Sequence, residues 1–174
     1  MKAVVALGAN LGDREHTLSA ALRDIAMLPD TTLQAASGLY ESAAVKPEGI
    51  DLAAPSYLNQ VAVIETELTP IQLLSRLRVM ETAHGRERHE RWGDRTLDLD
   101  VITYGNLQQN DPELTLPHPR AHERGFVLVP WFEIDPLAEL PSGSIAELVT
   151  PMVGEIARVS DSPIAGITTE GQVS

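Results

Sequence analysis

The chain has 174 residues, no cysteine, and 25 acidic against 13 basic side chains, for a formal net charge of −12. That length is one domain's worth of sequence, able to bury a conventional core without disulfides or zinc–thiolate staples. The acidity argues against a phosphate-backbone binder, no apolar run approaches the roughly 18 residues needed to span a bilayer, and MKAVVALGANLGD lacks the features of a signal peptide, so a cytoplasmic protein without nucleic-acid or membrane partners is expected.

Lys2 to Leu7 is an apolar, β-branched run ended by Gly8, which reads as a strand. The stretch Gly8-Ala9-Asn10-Leu11-Gly12 lacks the Lys-Ser/Thr ending of a Walker loop and reads as a tight turn. Asp13 caps a helix carrying Leu18, Leu22, Ile25 and Leu28 on one face until Pro29 stops it. Thr31–Tyr40 and Tyr57–Thr66 read as strands, joined by a loop with Pro47, Gly49 and Pro55 that is long for a hairpin and therefore a candidate for function. Thr69, with Pro70 at the first helical position, opens a helix through Ile71, Leu74, Leu77 and Met80 to a stop at Gly85. A charged loop, Arg86 to Asp94, leads into a strand over Thr96–Tyr104.

A further helix is expected over Ala121–Ile134, bent near Pro130, and a short one over Ser144–Val149. Ser160 to Ser174 reads as a strand or a disordered tail. The order βαβ, βαβ, with the second and third strands adjacent in sequence, predicts an α+β fold with a ferredoxin-like βαββαβ core, its antiparallel-rich sheet flanked by helices. Residues 1–160 are expected to form this single domain and 161–174 a tail.

Eight of the 13 cations are arginines between Arg76 and Arg124, whereas the last 47 residues hold seven acids and Arg158 as their single cation. Arginine's planar fork suits phosphate and carboxylate, so this cluster in an acidic chain points to a small anionic ligand. The segment Arg91-Trp92-Gly93-Asp94-Arg95-Thr96-Leu97-Asp98-Leu99-Asp100-Val101 adds the complementary chemistry. In a strand, residues two apart share a face, so Leu97, Leu99 and Val101 turn to the core while Asp98 and Asp100 turn together to the other side. Two adjacent carboxylates repel unless cations lie between them, and Mg²⁺ is typically held by one or two carboxylates plus substrate phosphates. Four arginines (Arg86, Arg88, Arg91 and Arg95) within ten residues of the strand that carries these acids supply the phosphate-binding half of a nucleotide site. Pro117-His118-Pro119 is a rigid turn able to hold an imidazole near the same strand end, and Arg124-Gly125-Phe126 places a cation and free amides at a helix start.

The Arg91–Val101 block, with Pro117-His118, Arg124-Gly125-Phe126, Gly8-Ala9-Asn10 and Tyr57-Leu58-Asn59, resembles the 6-hydroxymethyl-7,8-dihydropterin pyrophosphokinase family of folate biosynthesis. The resemblance runs from about residue 3 to about residue 150, and departs from the family pattern at Asp94, Ala43-Ala44 and Pro119. It implies that Asp98 and Asp100 bind two Mg²⁺ ions bridging the α- and β-phosphates of ATP. It implies that Arg86, Arg88, Trp92 and Arg95 belong to a loop closing over the nucleotide, with Glu81, His118 and Arg124 as further nucleotide contacts. Tyr57 and Phe126 would enclose the pterin ring, Asn59 would read its polar edge, and the chain from Ser42 to Val45 would add backbone contacts.

The expected activity is ATP-dependent transfer of pyrophosphate to the pterin's 6-hydroxymethyl group with release of AMP, by a monomer. The arginines Arg86, Arg88 and Arg95 and the acids Asp98 and Asp100 would be the catalytic set. A non-catalytic nucleotide- and metal-binding regulatory module is the alternative, and a sugar-nucleotide transferase using Asp-x-Asp is disfavoured by length. The mutual repulsion of the arginines in Arg86–Asp94 leads to the expectation that nucleotide orders this loop.

Overall fold

The structure, a computed structural model, describes residues 1–46, 49–51, 56–85, 96–154 and 156–160, with the backbone alone described at 44–46, 51 and 160. The strands are β1 (Lys2–Ala9), β2 (Thr31–Ala36), β3 (Leu39–Ser42), β4 (Ala44–Lys46), β5 (Gly49–Asp51), β6 (Tyr57–Thr66), β7 (Asp98–Tyr104), β8 (Gln109–Asn110), β9 (Thr115–Leu116), β10 (Glu139–Leu140), β11 (Gly143–Ser144) and β12 (Ala157–Ser160). The helices are α1 (Arg14–Ala26), α2 (Pro70–Ala83), α3 (Gly125–Ile134) and α4 (Ile145–Val149).

The main sheet runs β12-β3-β6-β1-β7, with β2 also paired to β6, and every pairing is antiparallel. Each βαβ unit therefore has a strand of the other inserted between its own two: β6 between β1 and β2, and β1 between β6 and β7. This is the ferredoxin-like order expected from the sequence, extended at one edge by β12.

Local chemistry explains where the helices begin. Asp13 accepts the His16 amide at 3.1 Å, and Thr69 with Gln72 forms a reciprocal capping box ahead of Pro70. Leu18, Leu22 and Ile25 of α1 and Leu73 and Leu77 of α2 are fully buried against one sheet face, where Val5, Leu7, Leu58, Ile64 and Leu99 meet them. The other face carries a second core of Val4, Val61, Val63 and Ile102 under Val127, Leu128 and Trp131 of α3 and Ile145 and Val149 of α4. Central strands buried on both faces explain why β1 and β6 are apolar runs rather than alternating ones.

Three expectations need correction. The strand expected over Thr31–Tyr40 is two strands, because Ser37 takes over the pairing: its amide donates to the Val61 carbonyl, its hydroxyl accepts the Val61 amide, its carbonyl accepts from Gln60, and the Gly38 amide donates to both carboxylate oxygens of Glu133 of α3 at 3.2 Å. The helix expected over Ala121–Ile134 is a short 3₁₀ turn, Ala121–Glu123, followed by α3, since Arg124 sits in an extended conformation between them. Pro130 lies inside α3 and leaves the Phe126 carbonyl without its usual amide partner within the helix. Gly8 belongs to β1, and the turn after it is made at Gly12, whose φ is +69°. The strand Ala157–Ser160 precedes a tail that lies outside the described residues.

Thr69→Ala removes one arm of the α2 capping box and should lower unfolding free energy by about 1 kcal/mol in urea titration, with no change in substrate KM.

Candidate active site

Register across the sheet lines up the residues that matter. Asp98 pairs with Gly8, Gly8 with Asn59, and Asn59 with Tyr40, so four strands contribute one transverse row. Directly paired residues face the same way, and residues two apart repeat that direction, which adds Asp100, Tyr57 and Ser42 to the same face as the row. Tyr40 identifies this face as that of α3, because its hydroxyl donates to Glu133 of that helix at 2.6 Å. With strands about 4.8 Å apart, the carboxylates of β7 and the amide of β6 stand roughly 10 Å from each other, with side-chain-free Gly8 between them. A Cβ at Gly8 would come within 3.6 Å of both Asn59 Oδ1 and Tyr57 Cδ1.

The acidic end is built on an edge strand. Leu97, Leu99 and Val101 are buried while Asp98 and Asp100 are half-buried, so the alternation expected from the sequence holds. The Leu99 amide, between the two acids, donates to Glu81 Oε2 at 2.8 Å. Glu81 is almost fully buried at the end of α2, and its contact fixes the strand from behind.

Arg124 is half-buried at the start of α3 and lies 5.5 Å from the centroid of the Phe126 ring. Burial depresses its pKa while Asp100 and Asp98 act in the opposite direction, so the three groups share one electrostatic environment. The described residues thus include two carboxylates and a guanidinium gathered at one end of the row.

His118 is held beside them. Its amide donates to Ile102 O at 2.8 Å, and its Nδ1 accepts from the Arg120 amide at 3.2 Å, which leaves the proton of the neutral ring on Nε2. Burial, then the positive Arg124, push its pKa down to about 4, against a smaller opposing effect of Asp98. The imidazole is therefore a neutral Nε2–H donor at physiological pH.

At the other end, Asn59 is buried and its Nδ2 donates to Ser42 Oγ at 2.8 Å and to the Tyr40 carbonyl at 3.1 Å. These bonds turn Oδ1 toward the space in front of Gly8. Tyr57 and Phe126 are both half-buried; Phe126 packs against the second core, and each ring keeps part of its surface exposed. Tyr40 is fixed by Glu133, and its phenol is pushed up to about 12, first by burial and then by that carboxylate.

Of the residues singled out from the sequence, Ser42, Tyr57, Asn59, Glu81, Asp98, Asp100, His118, Arg124 and Phe126 are described, and Val45 is described by its backbone in β4. Arg86, Arg88, Trp92 and Arg95 lie outside the described residues. Sequence reasoning did not single out Tyr40, Glu133 or Arg14, and gave Gly8 a turn rather than a place in the row. The strand pattern of Lys2–Ala9 opposite Tyr57–Thr66 was the available signal for Gly8.

A family model described as 7,8-dihydro-6-hydroxymethylpterin-pyrophosphokinase (HPPK) matches residues 4–136. The chain belongs to the HPPK family. A relative from Haemophilus influenzae, 2-amino-4-hydroxy-6-hydroxymethyldihydropteridine pyrophosphokinase, is 43% identical over 155 residues, covering 89% of this chain and 92% of its own. The enzyme of the same name from Pseudomonas aeruginosa is 40% identical over 139 residues, covering 80% and 83%. Among solved structures, an HPPK-DHPS chain in complex with substrates aligns with a TM-score of 0.66 at 12% identity, over 88% of this chain. A Plasmodium falciparum HPPK-DHPS aligns with a TM-score of 0.62 at 13% identity, again over 88%. This chain spans 45% and 44% of those longer chains, and the likeness speaks for the fold. The HPPK match contains every described site residue, whereas α4 and β12 lie beyond it.

Between pH 6.5 and about pH 4 the unfolded chain protonates the His118 imidazole while the folded chain keeps it neutral, so this group makes stability fall as pH drops through that window. His118→Gln should flatten that part of the stability profile, and the ring resonances in nucleotide-free protein should not titrate above pH 5.5.

Proposed function

We propose that the row centred on Gly8 is the reaction site of an HPPK enzyme, with the pterin on the β3–β6 side and the nucleotide phosphates on the β7 side. The chain transfers the pyrophosphoryl group of ATP to the 6-hydroxymethyl group of 7,8-dihydropterin and releases AMP, a step of tetrahydrofolate biosynthesis. The observation that carries the residue assignment is the register Asp98–Gly8–Asn59, which sets an acidic pair and an orienting amide on one face with a side-chain-free residue between. A regulatory module without turnover is not favoured, given relatives 40% and 43% identical along most of the chain that are named as the enzyme.

The acidic pair suits Mg²⁺. Among the described residues no group of three or more His, Cys, Asp or Glu comes together, so Asp98 and Asp100 leave most coordination positions to phosphate oxygens and water, as Mg²⁺ prefers. Two bound ions would neutralise phosphate charge and lower the pKa of the attacking hydroxyl. Asp98 and Asp100 would hold them, with Glu81 keeping the strand rigid through the Leu99 amide.

The remaining residues bind and orient. Asn59 presents Oδ1 to a donor on the pterin edge, Tyr57 and Phe126 cover the ring faces, and backbone from Ser42 to Val45 adds contacts. Arg124 and the neutral His118 Nε2–H meet phosphate oxygens, and Arg124 thereby exchanges its carboxylate neighbours for the nucleotide's charge. Arg86 and Arg88 act on the transferred group, and Arg95 and Trp92 on the nucleotide. The pterin hydroxymethyl oxygen forms a bond to the β-phosphorus as the bond from that phosphorus to the α–β bridging oxygen breaks. AMP departs with that oxygen, and the hydroxyl proton passes to solvent. Catalysis on this account is positioning and electrostatic stabilisation. On this reading the working unit is a monomer. None of the described helices is long and apolar enough to cross a membrane, in keeping with work in the cytoplasm.

Asp98→Ala and Asp100→Ala should each lower kcat by about 100-fold or more with the fold retained. Identification of the nucleotide product is the direct assay: AMP supports the reaction, and ADP refutes it. Phe126→Ala should weaken pterin binding by about 1 to 3 kcal/mol in calorimetry while leaving MgATP affinity in place. Equal weakening of both ligands would reassign Phe126 to packing.

A further inference from the structure

The first residue of α1 reaches across to two other segments. Arg14 Nη1 lies 3.0 Å from Glu41 Oε2, 3.0 Å from the Ser56 carbonyl and 3.0 Å from Ser56 Oγ, and the Ser56 hydroxyl in turn donates to Glu41 Oε2 at 2.7 Å. One nitrogen with two N–H groups thus serves three acceptors and closes a ring of three residues. Glu41 is kept below the usual carboxylate range, chiefly by the Ser56 hydroxyl and then by Arg14.

The position of this clasp gives it consequence. Between Glu41 and Ser56 the chain leaves the main sheet and returns to it, and two of the clasp residues directly precede site residues: Glu41 precedes Ser42, and Ser56 precedes Tyr57. Ser42 and Tyr57 are themselves cross-strand partners, and Ser42 Oγ accepts from Asn59. Arg14 follows the turn that leads out of Gly8 and Ala9. Three segments that deliver pterin-side groups are therefore joined at one guanidinium, whereas Asp98 and Asp100 lie two strands away.

We propose that Arg14 is a positioning residue for the pterin site, holding the ends of β3 and β6 in the register that aims Ser42, Asn59 and Tyr57. This rests on the assignment of those residues to the pterin. The side chains of Arg14 and Glu41 are 31% and 41% exposed, so the pair contributes little to global stability, and its effect belongs in substrate affinity.

Steady-state kinetics on the full chain tests this with Arg14→Ala, the charge-exchanged double variant Arg14→Glu/Glu41→Arg, and Tyr57→Ala. Arg14→Ala should raise KM for the pterin by about 3- to 10-fold, with KM for MgATP and kcat within about twofold of the parent and the thermal midpoint nearly unchanged. The charge-exchanged variant should recover most of the loss. An unchanged pterin KM in Arg14→Ala would overturn the proposal, as would a parallel rise of both KM values with a fall in melting temperature. Tyr57→Ala keeps the two levels apart. If it raises the pterin KM while Arg14→Ala does not, the clasp fails alone. If Tyr57→Ala is itself neutral, the pterin-site reading fails.

Discussion

Antiparallel register at Gly8 is the constraint on which the site depends. Because β1 pairs with β6 on one side and β7 on the other, a single residue without a side chain separates the acidic strand from the amide-bearing one. The inserted order of the ferredoxin-like core makes this possible: β6 and β7 flank β1 although α2 and a charged loop lie between them in sequence. A one-residue slip in either pairing would turn Asp98 or Asn59 to the opposite face, so the apolar cores on both faces protect the site's geometry as well as the fold.

Two helix-borne carboxylates, the buried Glu81 and the more exposed Glu133, hold the rigid parts from outside. Glu81 accepts the outward amide of edge strand β7, and Glu133 accepts the Gly38 amide and the Tyr40 hydroxyl where the outer strand is broken. Both reach the sheet from helices, one on each face. An uncovered edge amide beside two acids would be open to water and to displacement, whereas a carboxylate acceptor binds it strongly. The surface clasp of Arg14, Glu41 and Ser56 is of a different kind, exposed enough to be weak in stability terms and placed beside the residues proposed for the pterin.

Much of this was legible in the residues themselves. The Thr69-Pro70 start of α2, the Asp13 cap of α1 and the Leu97–Val101 alternation depend on neighbours within four residues, and their spacing reports them directly. The break at Ser37-Gly38 was not legible because its decisive partner, Glu133, is 95 residues further along the chain. Likewise, nothing periodic in the sequence pairs Arg14 with Glu41, or moves the start of α3 from Ala121 to Gly125. Glu81 was expected as a nucleotide contact from resemblance, and the fold gives its carboxylate a partner in the Leu99 amide. Tyr57 and Phe126 were singled out by resemblance alone, and in the fold both are partly exposed while Phe126 also packs against the second core.

The central claim is spatial: pterin and phosphates occupy opposite sides of Gly8 on the α3 face of the sheet. A crystal structure with a non-hydrolysable MgATP analogue and 6-hydroxymethyl-7,8-dihydropterin tests it most directly. The account predicts the pterin's polar edge on Asn59, its ring between Tyr57 and Phe126, metal on Asp98 and Asp100, and the hydroxymethyl oxygen aimed at the β-phosphorus across the space before Gly8. A pterin bound away from Asn59, or a nucleotide whose metal touches neither aspartate, would contradict it.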